Sequence, residues 1–179
     1  MSATTKLPFA QVRSVAAAVV ERLSPACHRV EVAGSLRRCA EMVGDIEIVA
    51  VPVLDVDLFG NPTSVSEVDR LLAGWPIQLL KNGPKYKQFS FVSTAGNTYT
   101  VDLFLQPDPA TWGVNFLIRT GSADFSHRMV TPKWQGGYMP NEFRVEDARV
   151  WHGGGKMLTP EEQDVFELWE MDFIPPEKR

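Results

Sequence analysis

The sequence predicts an α+β fold, and three segments of the chain carry that prediction. Residues 9–23 place apolar side chains at helical spacing, which indicates an amphipathic helix. Residues 45–53 are apolar and rich in β-branched side chains, which is typical of a buried strand. Residues 98–105 alternate between polar and apolar side chains, with the apolar ones on one face of a strand. Helices and strands therefore occur together along the chain.

The other elements follow from turn residues and helix-capping pairs. Pro and Gly mark the turns, and Ser or Thr three residues before Glu marks the start of a helix. In chain order, these signals predict a short strand at 29–33, a helix opened by Ser64 and Glu67, strands at 77–80 and 86–92, an extended segment at 113–119, a helix at 123–130, loops with short strands at 131–158, and a helix from the capping box 159–162 to about Trp169.

Length and composition favour one domain with a small appended subdomain. The chain has 179 residues, 44% of them hydrophobic and 22% charged. We place the boundary near the weak join at 106–113, which gives parts 1–110 and 111–179. No apolar run reaches the roughly 20 residues of a membrane span, no secretory signal is visible, and two cysteines form neither a metal motif nor a disulfide framework. We therefore expect a monomer in the cytoplasm or another reducing compartment, without a membrane partner.

The charge distribution permits a nucleic-acid partner although the net charge is −4. Residues 157–179 hold seven acidic and two basic residues. The other 156 residues hold 16 basic and 15 acidic residues, a net charge of +1. Acidic residues that bind metal ions would make that part more positive still, so an anionic partner is compatible with the sequence.

Paired carboxylates mark the start of the buried strand. Residues two apart on a strand share a face, so Asp45 and Glu47 project side by side. Carboxylates in an apolar strand repel each other unless a cation joins them, and Mg²⁺ takes such oxygen ligands together with substrate phosphates. Asp102, in the alternating strand, is a third candidate ligand. The alternative is that these acids form the solvated face of their strands.

A second group of polar residues stands just before the carboxylates. The backbone N–H groups of Gly34 and Ser35 and the Ser35 hydroxyl can hold phosphate oxygens. Arg37 and Arg38 offer fork-shaped donors for the same oxygens. A plain turn is the alternative for the Gly-Ser pair alone. The turn, the arginine pair and the carboxylate strand together favour phosphate chemistry.

At these positions the sequence resembles the X family of DNA polymerases, within the polymerase-beta-type nucleotidyltransferase superfamily. The family's palm carries Gly-Ser, an arginine pair, Gly-Asp-x-Asp and a later Asp. Two further matches are the Thr-Gly-Ser turn at 120–122 with its following helix, and an acidic closing helix with Pro-Glu at 159–179. Glu47 departs from the family, which usually has Asp there. The palm residues that match are Gly34, Ser35, Arg37, Arg38, Gly44, Asp45 and Asp102.

The resemblance covers nearly the whole chain. It implies a nucleotidyltransferase palm, with a mixed or antiparallel sheet and two helices, followed by a small α/β C-terminal subdomain. It also implies nucleotidyl transfer from a deoxynucleoside triphosphate to a primer 3′-hydroxyl, suited to filling short gaps in DNA repair. Two Mg²⁺ ions, or Mn²⁺ in their place, would be the cofactors, and primer/template DNA and a nucleoside triphosphate the partners. We expect a minimal form, without the family's amino-terminal lyase and helix-hairpin-helix regions.

The same resemblance assigns roles to individual residues. Asp45, Glu47 and Asp102 would be the catalytic metal ligands. Within the nucleotide site, Ser35 and Arg38 would hold the terminal phosphates and Arg37 would support them. The family's Thr-Gly-Ser turn contains a cis peptide bond, which is expected here too. The nucleotide-binding residues would be Gly34, Ser35, Arg37, Arg38, Thr120, Gly121 and Ser122.

Two features leave the acceptor open. Lys81, Lys85 and Lys87 flank Tyr86 with no acid between them, which fits either a DNA-backbone contact with a stacking tyrosine or a solvated hairpin tip. Residues 118–119 are Ile-Arg where many family members carry an aromatic pair. The alternatives to a template-directed polymerase are a template-independent nucleotidyltransferase for another acceptor (a single-stranded DNA end, RNA, protein or small molecule) and a non-catalytic nucleic-acid-binding module.

Overall fold

The computed structural model describes residues 6–59 and 61–179, and the elements named here lie in those ranges. The helices are α1 (Phe9–Leu23), α2 (Gly34–Arg37), α3 (Glu67–Ala73), α4 (Trp112–Thr120), α5 (Ala123–Val130) and α6 (Glu162–Leu168). The strands are β1 (Leu7–Pro8), β2 (Cys27–Val32), β3 (Met42–Val43), β4 (Ile46–Pro52), β5 (Leu54–Val56), β6 (Pro62–Ser66), β7 (Gln78–Asn82), β8 (Tyr86–Val92), β9 (Thr98–Leu105), β10 (Phe143–Glu146), β11 (Arg149–His152) and β12 (Gly155–Met157).

A five-stranded mixed sheet forms the centre of the molecule, with the strand order β2-β4-β9-β8-β7. β4 and β9 run parallel, and every other neighbouring pair in this sheet is antiparallel. Parallel neighbours need a long connection, which α3 and the β7-β8 hairpin provide here. The α+β fold class predicted from the sequence is confirmed, including its mixed sheet.

Both faces of β4 are covered, which explains its unbroken apolar sequence. Because side chains alternate along a strand, Ile46 and Ile48 enter the core that α1 covers. Val49 points to the other face and packs with Trp112 of α4. Glu47 shares that second face, so its carboxylate lies on the α4 side of the sheet.

β9 shows the same division between its two faces. Val101, Leu103 and Leu105 are at most 2% exposed and join the core under α1, as their alternation predicted. Asp102 and Phe104 occupy the opposite face, which is the face of Glu47. The sheet therefore has an apolar side toward α1 and a side with half-buried acids toward α4.

The C-terminal part has a core of its own. Helices α4, α5 and α6 surround it together with the antiparallel sheet β10-β11-β12. The Trp169 indole is fully buried there and donates a hydrogen bond to the Met129 carbonyl at 2.8 Å. Arg29 of β2 links the two parts, because it binds Glu161 through both terminal guanidinium nitrogens at 2.7 and 2.9 Å. The division into parts 1–110 and 111–179 remains a prediction.

One element differs in type from its prediction. The sequence predicts an extended segment at 113–119, but Trp112–Thr120 is the helix α4. Seven of its nine residues are buried, so nearly the whole circumference of the helix is covered by other parts of the protein. A short, uniformly apolar run has no period that separates a buried helix from a buried strand. Contacts on both sides of α4, with the sheet and with α6, decide in favour of the helix.

Two helix starts are also displaced from their predicted positions. Helix α3 begins after Ser66, whose capping-box partner is Asp69, because residues 62–66 pair as strand β6 with β5. Helix α6 begins after Glu161 with Asp164 as its partner. In both cases Asp, three residues after the first residue of the box, takes the place of the predicted Glu. The sequence therefore contains more than one possible helix start. No helix in the described residues has the length and apolar character needed to cross a bilayer.

Candidate active site

Three carboxylates lie together on the α4 side of the central sheet. The parallel register of β4 and β9 places Glu47 directly beside Asp102. Asp45 lies in the bend one residue before β4, close enough to Asp102 and Glu47 for its charge to interact with theirs. Acids that stand 57 positions apart at most in the sequence thus meet at one place in the fold.

Burial and mutual repulsion raise the pKa of two of these acids. Burial, followed by the charges of Asp45 and Asp102, raises the pKa of Glu47 from 4.5 to about 7. Burial and then the Asp102 charge also raise the pKa of Asp45. Arg38 and Arg119 offset only part of the effect at Glu47. The environment of the cluster therefore disfavours the ionised forms of these two acids.

Asp102 is held by two donors from the neighbouring strand β8. The Tyr86 hydroxyl donates to Asp102 Oδ1 at 2.6 Å, and Gln88 Nε2 donates to the same oxygen at 2.7 Å. The Tyr86 ring stacks on Phe104, with ring centroids 5.1 Å apart. The sequence predicts that Tyr86 either stacks on a base or lies at a solvated hairpin tip, and the fold places its hydroxyl at the carboxylate cluster.

Gly34 lies directly against the carboxylate of Glu47. Its φ is +62°, in the left-handed region that favours glycine, and a Cβ at this position would overlap Glu47 Oε2. Ser35 follows in the first turn of α2, so the Gly-Ser pair opens a helical turn rather than a plain loop. A glycine is required here because any side chain would displace Glu47.

Arg37 ties this turn to the C-terminal part of the chain. It donates to both carboxylate oxygens of Glu162, at 2.9 and 2.8 Å, and to the Thr120 hydroxyl at 2.7 Å. Arg179 donates to Glu162 as well, at 2.6 Å. Although burial alone would raise it, the hydrogen bonds from Arg37 and Arg179 lower the pKa of Glu162. Glu162, which sequence reasoning treated only as a capping residue, is thus the centre of a buried ion network.

Arg38 connects the carboxylates to the Thr-Gly-Ser turn. It donates to the Thr120 carbonyl, and its Nη1 lies 2.8 Å from where a Cβ on Gly121 would stand. The peptide bond between Gly121 and Ser122 is cis, as the resemblance implies. The Ser122 hydroxyl accepts a hydrogen bond from the backbone N–H of Phe125 at 3.4 Å and caps α5. The candidate nucleotide-binding residues from both parts of the chain therefore surround one site.

Arg119 is a functional candidate that the sequence marked only as a departure from the family. Its guanidinium carbon lies 3.9 Å from the ring centroid of Phe104, on the carboxylate face of β9. Its charge offsets part of the rise in the pKa of Glu47, and burial lowers the pKa of Arg119 itself. The alternation of β9 pairs Phe104 with Asp102, but nothing local connects residue 104 with residue 119. Only the packing of α4 on the sheet reveals this contact.

The three lysines that flank Tyr86 have different surroundings. Lys87 is 2% exposed, and its ammonium group binds Asp69 and, at 2.6 Å, Asn82 Oδ1. It therefore differs from the expectation of a DNA contact, because inward strand alternation and a buried ion pair remove it from the surface. Lys85 has a side chain 70% exposed. Lys81 is exposed as well, with its nitrogen 5.2 Å from the Tyr86 ring centroid.

The carboxylate cluster has the donor chemistry of a divalent-cation site. In residues 6–59 and 61–179, no group of three or more His, Cys, Asp or Glu side chains is arranged to hold a metal ion. The donor set still fits hard cations such as Mg²⁺, which take carboxylate oxygens and need uncompensated negative charge. Burial and the neighbouring acids raise the pKa of Asp45 and of Glu47, so the ionised forms are disfavoured here in the absence of a cation.

Comparison with known proteins identifies the fold. The chain is similar to the crystal structure of Leishmania infantum polymerase beta in a ternary P/T complex, with a TM-score of 0.77. The match covers 99% of this chain and 77% of that one. The chain has the fold of polymerase beta. Sequence identity is 16%, so the likeness concerns the fold alone. No protein-family model matches the chain, and no curated protein matches it either.

Proposed function

We propose that the protein is a nucleotidyltransferase of the X-family DNA polymerase type, which adds a deoxynucleotide to a primer 3′-hydroxyl and fills short gaps. One observation carries the proposal: carboxylates clustered at two paired strands lie close to a Thr-Gly-Ser turn, to which Arg37 and Arg38 are bound through Thr120. The polymerase beta fold supports assigning residues 1–110 to a palm and 111–179 to a C-terminal subdomain.

The carboxylates would serve as the metal ligands of the reaction. Asp45, Glu47 and Asp102 would hold two Mg²⁺ or Mn²⁺ ions, which neutralise the triphosphate and lower the pKa of the attacking hydroxyl. The protein contributes the fixed position of these acids, because two adjacent strands set their spacing. Gly34 packs against the Glu47 carboxylate and limits its movement on that side.

The nucleotide would lie between the turn after β2 and the Thr-Gly-Ser turn. Arg38 stands between Glu47 and Thr120, and its guanidinium can exchange the Thr120 carbonyl for phosphate oxygens. Ser35 and Gly34 offer a hydroxyl and backbone N–H groups next to it. Arg37, already bound to Glu162, would orient Thr120 rather than the substrate.

Primer/template DNA would be the acceptor, held through few cationic contacts. Lys81 and Lys85 remain exposed on the β7-β8 hairpin and could follow a phosphate backbone, whereas Lys87 is internally paired. A limited number of phosphate contacts implies weak DNA binding and distributive synthesis.

Arg119 favours a second candidate, a template-independent nucleotidyltransferase with a different acceptor. A charged guanidinium beside the site, stacked on Phe104, can bind a second anionic group that a sugar-contacting aromatic pair would not. Such an acceptor could be a single-stranded DNA end or RNA. The shared palm does not choose among these acceptors.

One assay separates the candidates. The protein is incubated with Mg²⁺ or Mn²⁺, labelled nucleotides, and either a gapped duplex or a single-stranded primer. Template-matched addition to the gapped duplex is the expected result. Random addition to the single strand supports the second candidate, and addition to neither with either metal indicates a non-catalytic nucleic-acid-binding module.

A further inference from the structure

Asp102 differs from the other two acids of the cluster because side chains of its own sheet fix one of its oxygens. Oδ1 accepts hydrogen bonds from Tyr86 and from Gln88, at 2.6 and 2.7 Å. A carboxylate oxygen offers about two lone-pair positions, so these two donors fill the capacity of Oδ1. Neither Tyr86 nor Gln88 belongs to the motifs that assign the site.

The two donors are themselves held in place. Gln88 lies directly opposite Asp102 in the antiparallel register of β8 and β9. Tyr86 is two residues away on the same face, and its ring stacks on Phe104 at an interplanar angle of 24°. Lys81 covers the same ring from β7. The donor positions therefore follow from sheet register and ring packing, and not from the flexible ends of surface side chains.

We propose that Tyr86 and Gln88 are positioning residues that lock the Asp102 carboxylate and leave Oδ2 as its only oxygen for a divalent cation. The proposal rests on the proposed function in treating Asp102 as a metal ligand. A carboxylate that serves as a metal ligand binds a cation more tightly when hydrogen bonds fix its rotamer before the cation binds. Asp102 would then bind the cation through a single oxygen, with Asp45 and Glu47 completing the set.

If Tyr86 only links β8 to β9, removal of its hydroxyl should affect cation binding no more than removal of a comparable hydroxyl elsewhere in the sheet. Tyr99 on β9 provides the matched control, because it too stacks on a phenylalanine of β8, Phe91, at an interplanar angle of 24°. Its hydroxyl accepts a hydrogen bond from Gln11 at 2.9 Å, away from the carboxylates. Tyr86→Phe and Tyr99→Phe thus each remove one hydrogen-bonded hydroxyl from a stacked pair in the same sheet.

The test measures Mn²⁺ binding to the full chain without nucleotide or DNA, by electron paramagnetic resonance of the free ion. Tyr86→Phe and Gln88→Met are each expected to weaken Mn²⁺ binding about 10-fold, the lower end of what loss of a ligand's hydrogen-bond partner costs. Tyr99→Phe is expected to bind Mn²⁺ within twofold of the wild-type protein. Gln88→Met guards against a folding defect of Tyr86→Phe, since it removes a donor to the same oxygen without touching the stacked ring.

Steady-state primer extension supplies the second readout. Both β8 variants are expected to raise the metal concentration for half-maximal rate, while KM for the nucleotide stays within twofold. Unchanged or tighter Mn²⁺ binding in both β8 variants would overturn the inference, as would equal weakening in Tyr99→Phe or no Mn²⁺ binding by the wild type. Weakened binding in a protein that extends no primer supports the positioning role and contradicts the proposed function. Primer extension together with unchanged Mn²⁺ binding in both variants contradicts the positioning role and supports the proposed function.

Discussion

Glu47 is a half-buried and Glu162 a buried glutamate, and their pKa values move in opposite directions. Burial and the charges of Asp45 and Asp102 raise the pKa of Glu47 to about 7. Burial acts on Glu162 too, but hydrogen bonds from Arg37 and Arg179 outweigh it and lower the pKa. The ion network around Glu162 contains its own cations, Arg37 and Arg179, and joins two parts of the chain. At Glu47, the charges of Arg38 and Arg119 offset only part of the pKa rise that burial and the neighbouring acids cause.

The largest expected effect concerns activity at the carboxylate cluster. Asp45→Asn and Asp102→Asn should each reduce nucleotide addition by about 10³-fold or more, because several kcal/mol of metal-borne charge stabilisation is lost. Without metal, the melting temperature should stay the same or rise slightly, since one repelling charge is gone. Primer extension and calorimetry measure the two effects, with the exposed Asp172→Asn as the control. A variant that melts far lower, or extends primers normally, contradicts the cation-site reading.

A substitution in the ion network around Glu162 should lower the free energy of unfolding. Glu162→Gln leaves the charges of Arg37 and Arg179 uncompensated in a buried site, where breaking such a pair costs about 3–5 kcal/mol. Urea unfolding of this variant and of Glu167→Gln, an exposed position on the same helix, gives the comparison. A loss below about 1 kcal/mol in Glu162→Gln would show that water or neighbouring rings compensate the arginines as well as the carboxylate does.

The pH dependence of the free energy of unfolding tests the raised pKa of Glu47. A carboxyl whose folded pKa is raised from 4.5 to about 7 contributes stability that is present below pH 4.5 and lost as the pH rises through 7. At about 1.36 kcal/mol per pKa unit, the loss at Glu47 is about 3 kcal/mol at most. Glu47→Gln should remove most of this dependence in metal-free protein, whereas the exposed Glu21→Gln should not. Chelated samples unfolded in urea between pH 4.5 and 8 provide the measurement, and an identical pH slope in Glu47→Gln would contradict the pKa assignment.

The smallest expected effect concerns the length of the Glu47 side chain. We expect the site to be adapted to glutamate, because the Glu47 carboxylate packs against Gly34 and that of Glu47→Asp would fall short by about one methylene. Because Mg²⁺ demands near-ideal geometry at about 2.0–2.1 Å, we expect the Asp variant to be several-fold slower in Mg²⁺. Mn²⁺, which is less strict, should restore part of the rate. Primer extension by both proteins with both metals decides the matter, and a faster Asp variant in Mg²⁺ would refute adaptation.

The sequence alone determined the strands that carry the site and the chemistry of its acids. Alternation over 98–105 fixed which side chains of β9 enter the core, since burial of one face follows directly from period two. The same rule placed Asp45 and Glu47 on a common face. Strand propensity and turn signals also recovered the β7-β8 hairpin, because these are local properties of the chain.

Tertiary structure decided the features that depend on contacts between distant residues. The apolar run 113–119 became a helix because the sheet and α6 cover it on both sides, which no local period encodes. Arg37 met Glu162 across 125 positions. Strand register paired Gln88 with Asp102 and buried Lys87 on the opposite face. Local sequence sets which side chains can share a face, whereas their partners depend on register and packing, which the whole fold determines.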